Sequence, residues 1–265
     1  SNGDFIRTSV DERHRAGAQK LWRSFKAQDF TKKTYKGLYC IGCEEFKTDK
    51  ELAQGECPEH KGKKLEEVSE ENYFFKLGNY AQQLEGLIES GQMRIIPESR
   101  KNEILTFIRG GLEDLSISRS RTRARDWGVP VPDDDTQVMY VWVDALSNYI
   151  NALGYADEGE AYRKFWAGDG TRVHAIGKGI TRFHAIYWPA FLLSADVALP
   201  THLFVHGYIT SGGQKMSKTL GNVVDPVAIA RKYGNDVLRY YLLRDITFGG
   251  DGDFGPKFEF EEEIE

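Results

Sequence analysis

The chain has 265 residues, of which 40% are hydrophobic and 28% charged, enough to bury one large core beside a smaller insertion. Its net charge of −5 gives no general attraction for nucleic acid, so any RNA contact has to be local. No apolar run approaches the roughly 18 residues of a membrane span, and the opening Ser1-Asn2-Gly3-Asp4 carries neither a methionine nor a signal-peptide core, so the expectation is a fragment or processed piece of a cytoplasmic protein.

Residues 4–8 read as a short strand, and residues 11–28 as a helix with Ala18, Leu21, Trp22 and Phe25 on its inner face. Residues 31–72 are polar, rich in lysine and glutamate, and hold too few apolar side chains for a core of their own. Within them Cys40-Ile41-Gly42-Cys43 is followed, after thirteen residues, by Cys57-Pro58-Glu59-His60. Two short chelating turns presenting three thiols and an imidazole suit tetrahedral zinc, which can stand in for the absent core. The alternative is reduced thiols beside a surface histidine. Three cysteines are too few for a disulfide framework. Strand-like and helical stretches, including residues 80–89 and 101–110, then lead back to the main body at Leu115-Ser116-Ile117-Ser118-Arg119. There is no internal repeat and no low-complexity linker.

The second half alternates strand and helix, the pattern of a parallel sheet. Strands are expected at residues 138–143, 173–177 and 202–208. Helices are expected at 145–153 and from 180 to about 194, the latter bent or loosened by Pro189. Ligands of such sheets bind at the carboxyl ends of the strands, which would put residues 142–145, 177–180 and 211–219 on one rim. The last of these segments is Ser211-Gly212-Gly213-Gln214-Lys215-Met216-Ser217-Lys218-Thr219. Two glycines loosen the backbone, and two lysines three positions apart present mobile ammonium charges suited to a polyphosphate. The P-loop pattern does not occur.

With its flanks, Leu203-Phe204-Val205-His206-Gly207-Tyr208-Ile209 before it and Leu220-Gly221-Asn222-Val223-Val224-Asp225-Pro226 after it, this segment resembles the signature loop of class I aminoacyl-tRNA synthetases. Tyr140-Val141-Trp142-Val143-Asp144-Ala145 with Tyr149, and the stretch from Gly177 to Pro189, resemble the methionyl-tRNA synthetases, and the match runs from about residue 4 to about residue 254. The resemblance implies an α/β fold: the second half of a class I synthetase Rossmann-like nucleotide-binding domain, carrying a small zinc-knuckle insertion. Residues 1–30 would be a remnant of the first half of that domain and 31–72 the zinc-binding connective insertion. Residues 73–256 would be the return segment and the second half of the catalytic domain, and 257–265 an acidic tail.

The implied reaction joins the carboxylate of L-methionine to the α-phosphate of ATP and then passes the methionyl group to tRNA(Met). It needs no enzyme nucleophile, only positioning and cations at the developing charge. Lys215 and Lys218 are the implied catalytic residues, with Lys218 the stronger, and Lys178 and His206 join them at ATP. Trp142, Ala145, Tyr149, Ile180, Phe183 and His184 match the positions that line the methionine pocket, although their apolar spacing equally suits core packing. Zn2+ would be structural, and Mg2+ would accompany ATP. Gly177-Lys178-Gly179 departs from the family's Gly-Lys-Asp, removing a carboxylate expected near the ribose. The His-x-Gly-His signature is missing among the six histidines, as is the anticodon-reading domain, so the isolated polypeptide is expected to be inactive. Two alternatives remain: a class I synthetase for leucine, isoleucine, valine or cysteine, and a non-catalytic zinc-containing binding module.

Overall fold

The computed structural model describes residues 5–254, apart from 44, 48–51, 59, 61, 217–220 and 245. The chain divides into two compact units. The first comprises Ser1–Gln82, Gly111–Gly170 and Ala190–Ala198, and the second Gln83–Gly110, Thr171–Pro189 and Leu199–Glu265.

The first unit begins without the expected strand, since residues 5–7 are irregular. Its first helix, Glu12–Ser24, is capped by the Asp11 carboxylate, which accepts from Arg13 N at 3.0 Å. His14, Gly17, Ala18, Leu21 and Trp22 form its buried face, packed against the helix Val141–Asn151. Phe25 lies just past the helix end in extended conformation, yet it stays buried with its ring 5.6 Å from Phe75 and 5.5 Å from Phe191. A short 3-10 turn, Ala27–Asp29, then turns the chain into a strand.

The polar insertion is a β-ribbon. Strand Phe30–Cys40 pairs antiparallel with Glu66–Phe75 over a continuous register from Phe30↔Phe75 to Tyr39↔Glu66. Glu45–Lys47 and Leu115–Ser116 complete the four strands, one on each edge. The composition that argued against a core suits this arrangement, because a lysine-rich strand faces a glutamate-rich one. Lys36 meets Glu67 at 2.7 Å, and Lys32 meets Glu71 at 3.4 Å and Asp134 at 2.8 Å. Such exposed pairs contribute about 0–1 kcal/mol each, so they set the pairing more than they stabilise it. At the base of the ribbon Phe74 and Phe75 enter the main core.

Ser118–Ser120 pairs antiparallel with Gln137–Met139, and the chain then enters the helix Val141–Asn151 through Tyr140. This corrects the expected strand at 138–143. The strand ends at Met139, and the β-branched and aromatic residues that suggested its continuation are the first turn of a buried helix. Trp142 is therefore helical, and because its preceding strand lies outside the parallel sheet, the strand-end rule does not place residues 142–145.

The second unit holds the parallel sheet, in the order Arg94–Ile96, His202–His206, Val173–Gly177. Ile95, His174, Ile176, Leu203 and Val205 are its buried residues. Helix Glu98–Arg109 follows the first strand, and Ile104, Leu105 and Ile108 are its buried face. After His202–His206 come Ile209–Ser211 and Gln214–Lys215, then helices Pro226–Tyr233 and Asn235–Arg244. Leu238, Tyr241 and Phe254 form a small separate core there. Among the described residues, no helix is long and apolar enough to cross a membrane.

Candidate functional site

Cys40 ends the first ribbon strand, Cys43 lies in the turn that follows, and Cys57 and His60 occupy the next turn. The ligand atoms of all four lie within 4.8 Å of one another. Cys43 Sγ is 3.5 Å from Cys57 Sγ and 3.2 Å from His60 Nδ1, and Cys40 Sγ and Cys57 Sγ are 3.7 and 3.8 Å from the same nitrogen. Donors about 2.0–2.3 Å from a tetrahedral ion stand roughly 3.3–3.8 Å apart, so the set fits one metal ion. Cys40 and Cys57 are buried. Burial opposes thiolate formation at both Cys40 and Cys43; at Cys40 the amide of Cys43 and the neighbouring thiol of Cys57 outweigh it and hold that thiol below its ordinary value, while Cys43 is pushed up.

Trp142, Ala145 and Tyr149 follow one another at helical spacing on Val141–Asn151, which places them on one face, each half-buried. Burial pushes the Tyr149 phenol up. The expected helix at 180–194 is segmented: a 3-10 turn at Lys178–Ile180, a π-turn at Phe183–Tyr187, and an α-helix only from Trp188 to Ser194. Pro189 lacks the N–H that would bond the carbonyl of Ala185, which accounts for the loosening just before it. Ile180, Phe183 and His184 share a face of this segment. His184 Nδ1 lies 2.9 Å from Ile180 O and donates to it, which leaves Nε2 as the acceptor. Burial holds His184 below the ordinary imidazole value, and it pushes His174, 5.5 Å away ring to ring, down to about 3. Both rings are neutral at pH 7.

The lysine loop begins as a hairpin. Gly212 and Gly213, with φ of 61° and 74°, form the tight turn between the strands Ile209–Ser211 and Gln214–Lys215, so the glycines fix this end of the loop instead of loosening it. Lys215 Nζ lies 4.8 Å from the centre of the Tyr208 ring, and Lys178 Nζ lies 4.7 Å from it. Lys178 also meets Asp251 at 2.7 Å, which holds that carboxyl below its usual range. His206 stands beside Gly177 at the carboxyl ends of two paired strands, its Nδ1 2.8 Å from Gly207 O. The structure thus brings Lys178, Lys215 and His206 to one end of the parallel sheet. Lys218 lies outside the described residues.

Sequence reasoning missed Tyr208 and Asp251. Asp251 binds both Lys178 and, at 2.8 Å, the amide of Tyr208. A Cβ built on Gly179 would lie 2.1 Å from Tyr208 Oη, so the phenol occupies the space that a side chain at this position would need. The only available signal was a carboxylate in the turn-forming run Gly249-Gly250-Asp251-Gly252.

Comparison with known proteins converges with this arrangement. A sequence profile described as tRNA synthetases class I (M) matches residues 1–70 and 61–263. The methionine–tRNA ligase of Clostridium acetobutylicum is 49% identical over 253 residues, 94% of this chain and 38% of that protein. That of Brucella suis is 46% identical over 258 residues, 96% of this chain and 49% of that protein. The crystal structure of Mycobacterium tuberculosis methionyl-tRNA synthetase bound by methionyl-adenylate matches 97% of this chain and 50% of that one, with a TM-score of 0.86 at 42% identity. The chain spans between about two fifths and half of these relatives. At this identity over nearly its whole length, the chain belongs to the methionyl-tRNA synthetases of class I.

Proposed function

We propose that this chain serves the ATP-dependent activation of L-methionine and its transfer to tRNA(Met), as a methionine–tRNA ligase. The observation that carries this reading is the convergence of Lys178 and Lys215 on Tyr208 at the carboxyl ends of the parallel strands. In the activation step a methionine carboxylate oxygen attacks the α-phosphorus, the bond to the bridging oxygen breaks, and pyrophosphate leaves with its charge. Their two ammonium groups suit that charge, and Lys218 adds a third in this role. His206 is assigned to the nucleotide side, and Mg2+ accompanies ATP. Trp142, Ala145 and Tyr149, with Ile180, Phe183 and His184, are assigned to the methionine side chain. Aromatic faces and a neutral imidazole suit an apolar, polarizable thioether. The ion held by Cys40, Cys43, Cys57 and His60 is zinc, in a structural role, since all four tetrahedral positions are taken by protein. A cytoplasmic location follows from this activity.

The test is made in the full-length enzyme. Lys218→Ala should lower the rate of methionyl-adenylate formation about 10²–10³-fold with little change in methionine affinity. Trp142→Ala should weaken methionine binding by roughly 1.5–3 kcal/mol and ATP binding much less. Equal losses for both ligands would make Trp142 a packing residue and overturn the assignment.

A further inference from the structure

The helix Val141–Asn151, which carries Trp142, Ala145 and Tyr149 on one face, is polar on the other. At about 100° per residue, Asp144, Ser147 and Asn151 stand on average about 160° away from those three around the helix axis. Val141–Asn151 packs against Glu12–Ser24, and both helices belong to the first unit. His14, Ser147 and Asn151 are fully buried.

These side chains close a loop of hydrogen bonds. Ser147 Oγ donates to Asp144 O at 2.7 Å, so it accepts from Asn151 Nδ2 at 2.9 Å. The same amide nitrogen lies 3.1 Å from His14 O and 3.2 Å from His14 Nδ1. Turned over, the amide would set its oxygen against the His14 carbonyl, so these acceptors fix its orientation and make Nδ1 an acceptor too. The ring hydrogen is then on Nε2, which donates to the Asp144 carboxylate. Gly17 makes the close approach possible, because a Cβ there would lie 2.0 Å from Asn151 Oδ1.

The loop reaches from the first turn of the helix to its last residue. Asp144 is two positions after Trp142, and Asn151 is two positions after Tyr149. Apolar contacts between two helices tolerate a small slide, whereas buried hydrogen bonds are directional and costly to leave unmade. One imidazole therefore fixes the rotation and height of the helix at both ends.

We propose that His14 is a positioning residue for methionine recognition: through Asp144 and Asn151 it sets where Trp142 and Tyr149 stand toward the substrate side chain. Being fully buried, it acts through the helix and not by touching substrate. The proposal rests on the ligase reading and deepens it.

The test is ATP–pyrophosphate exchange by the full-length enzyme, with methionine and with ethionine, the analogue one carbon longer on sulfur. His14→Ala should raise the methionine KM about 10- to 100-fold, the scale of a misplacement near 1 Å, and leave the ATP KM unchanged. Its preference for methionine over ethionine should shrink by about 10-fold, since one methylene in a well-set pocket is worth that much or more. His14→Gln, whose side-chain amide can still donate to Asp144, should restore most of both. Asp144→Ala breaks the same link from a side chain that is 19% exposed, so the fold should tolerate it, and it should reproduce the KM split and the lost preference. A lower kcat in Asp144→Ala with both KM values and the preference unchanged would show that the loop only stabilises the fold, and would overturn the proposal alone. No exchange by the unaltered enzyme would overturn the ligase reading and this assignment with it.

Discussion

The contact between Gly179 and Tyr208 can be tested without any ligand. In Gly179→Ala the new Cβ would lie 2.1 Å from Tyr208 Oη and 3.2 Å from Cζ, well inside van der Waals contact. The Tyr208 backbone cannot retreat, because its amide donates to Asp251 at 2.8 Å and its carbonyl accepts from Gly252 N at 2.9 Å. The ring has to swing, leaving the two ammonium groups 4.7 and 4.8 Å from its centre. Each such contact contributes about 0.5–1 kcal/mol at a partly exposed site, so the clash costs about 1–2 kcal/mol. Against this stands a gain of about 0.5–1 kcal/mol from replacing a helical glycine with alanine. In the background of Tyr208→Ala only the gain remains. Urea unfolding of the two single variants and the double variant should therefore give a coupling energy of about 1–2 kcal/mol, with Gly179→Ala stabilising once the ring is gone. A coupling below about 0.5 kcal/mol, the level at which independent sites add, would mean that Tyr208 does not fill this space.

The knuckle should bind about one zinc per chain, and Cys57→Ser should lose the metal and the protection of ribbon-tip amides from exchange while the main cores stay folded; a metal-free chain purified without chelator would refute this. Acid should destabilise the second unit early. The unfolded chain takes up protons at His174 and His184 below pH 6.5, whereas burial disfavours the charged form of both in the fold, so their contribution is complete above that pH and is lost as pH falls, for His174 down to about 3. At pH 5.5 His174 alone accounts for about 1.4 kcal/mol, and His174→Gln should flatten the stability–pH slope between pH 6.5 and 4.5 by about one proton. Ser194→Ala removes a 2.8 Å donor to the buried Asp29 carboxylate and should cost about 1.5–3 kcal/mol in urea unfolding; a cost below 0.5 would show that Tyr80 and Asn79 satisfy Asp29 without it.

How far the fold was legible depended on whether local spacing or distant partners decided each element. The helix Glu12–Ser24 and the strands Val173–Gly177 and His202–His206 follow from side-chain periodicity, which survives into the structure because each buries one face or stripe. The ribbon was not legible as strands. Its lysines and glutamates have low strand preference taken singly, and only the register of the ladder, Lys32↔Tyr73 and Lys36↔Ser69, sets each lysine diagonally against a glutamate, Lys32 against Glu71 and Lys36 against Glu67. Trp142 failed for the opposite reason: a run of apolar residues at 138–143 satisfies a buried strand and the start of a buried helix equally, and the boundary at Tyr140 is set by packing.

The same division runs through the candidate site. Cys40, Cys43, Cys57 and His60 were found because chelation is local, each turn supplying two donors on one short loop, and only the meeting of the two turns needed the fold. Lys178 and Lys215 were found from a motif, but what holds them was not. Asp251 is 73 residues from Lys178, and Tyr208 appeared in the sequence only as part of a flank. These two residues explain the departure at 179. A carboxylate there would meet the Tyr208 hydroxyl, whereas glycine lets the ring sit between both lysines and lets Asp251 supply the negative charge from another loop.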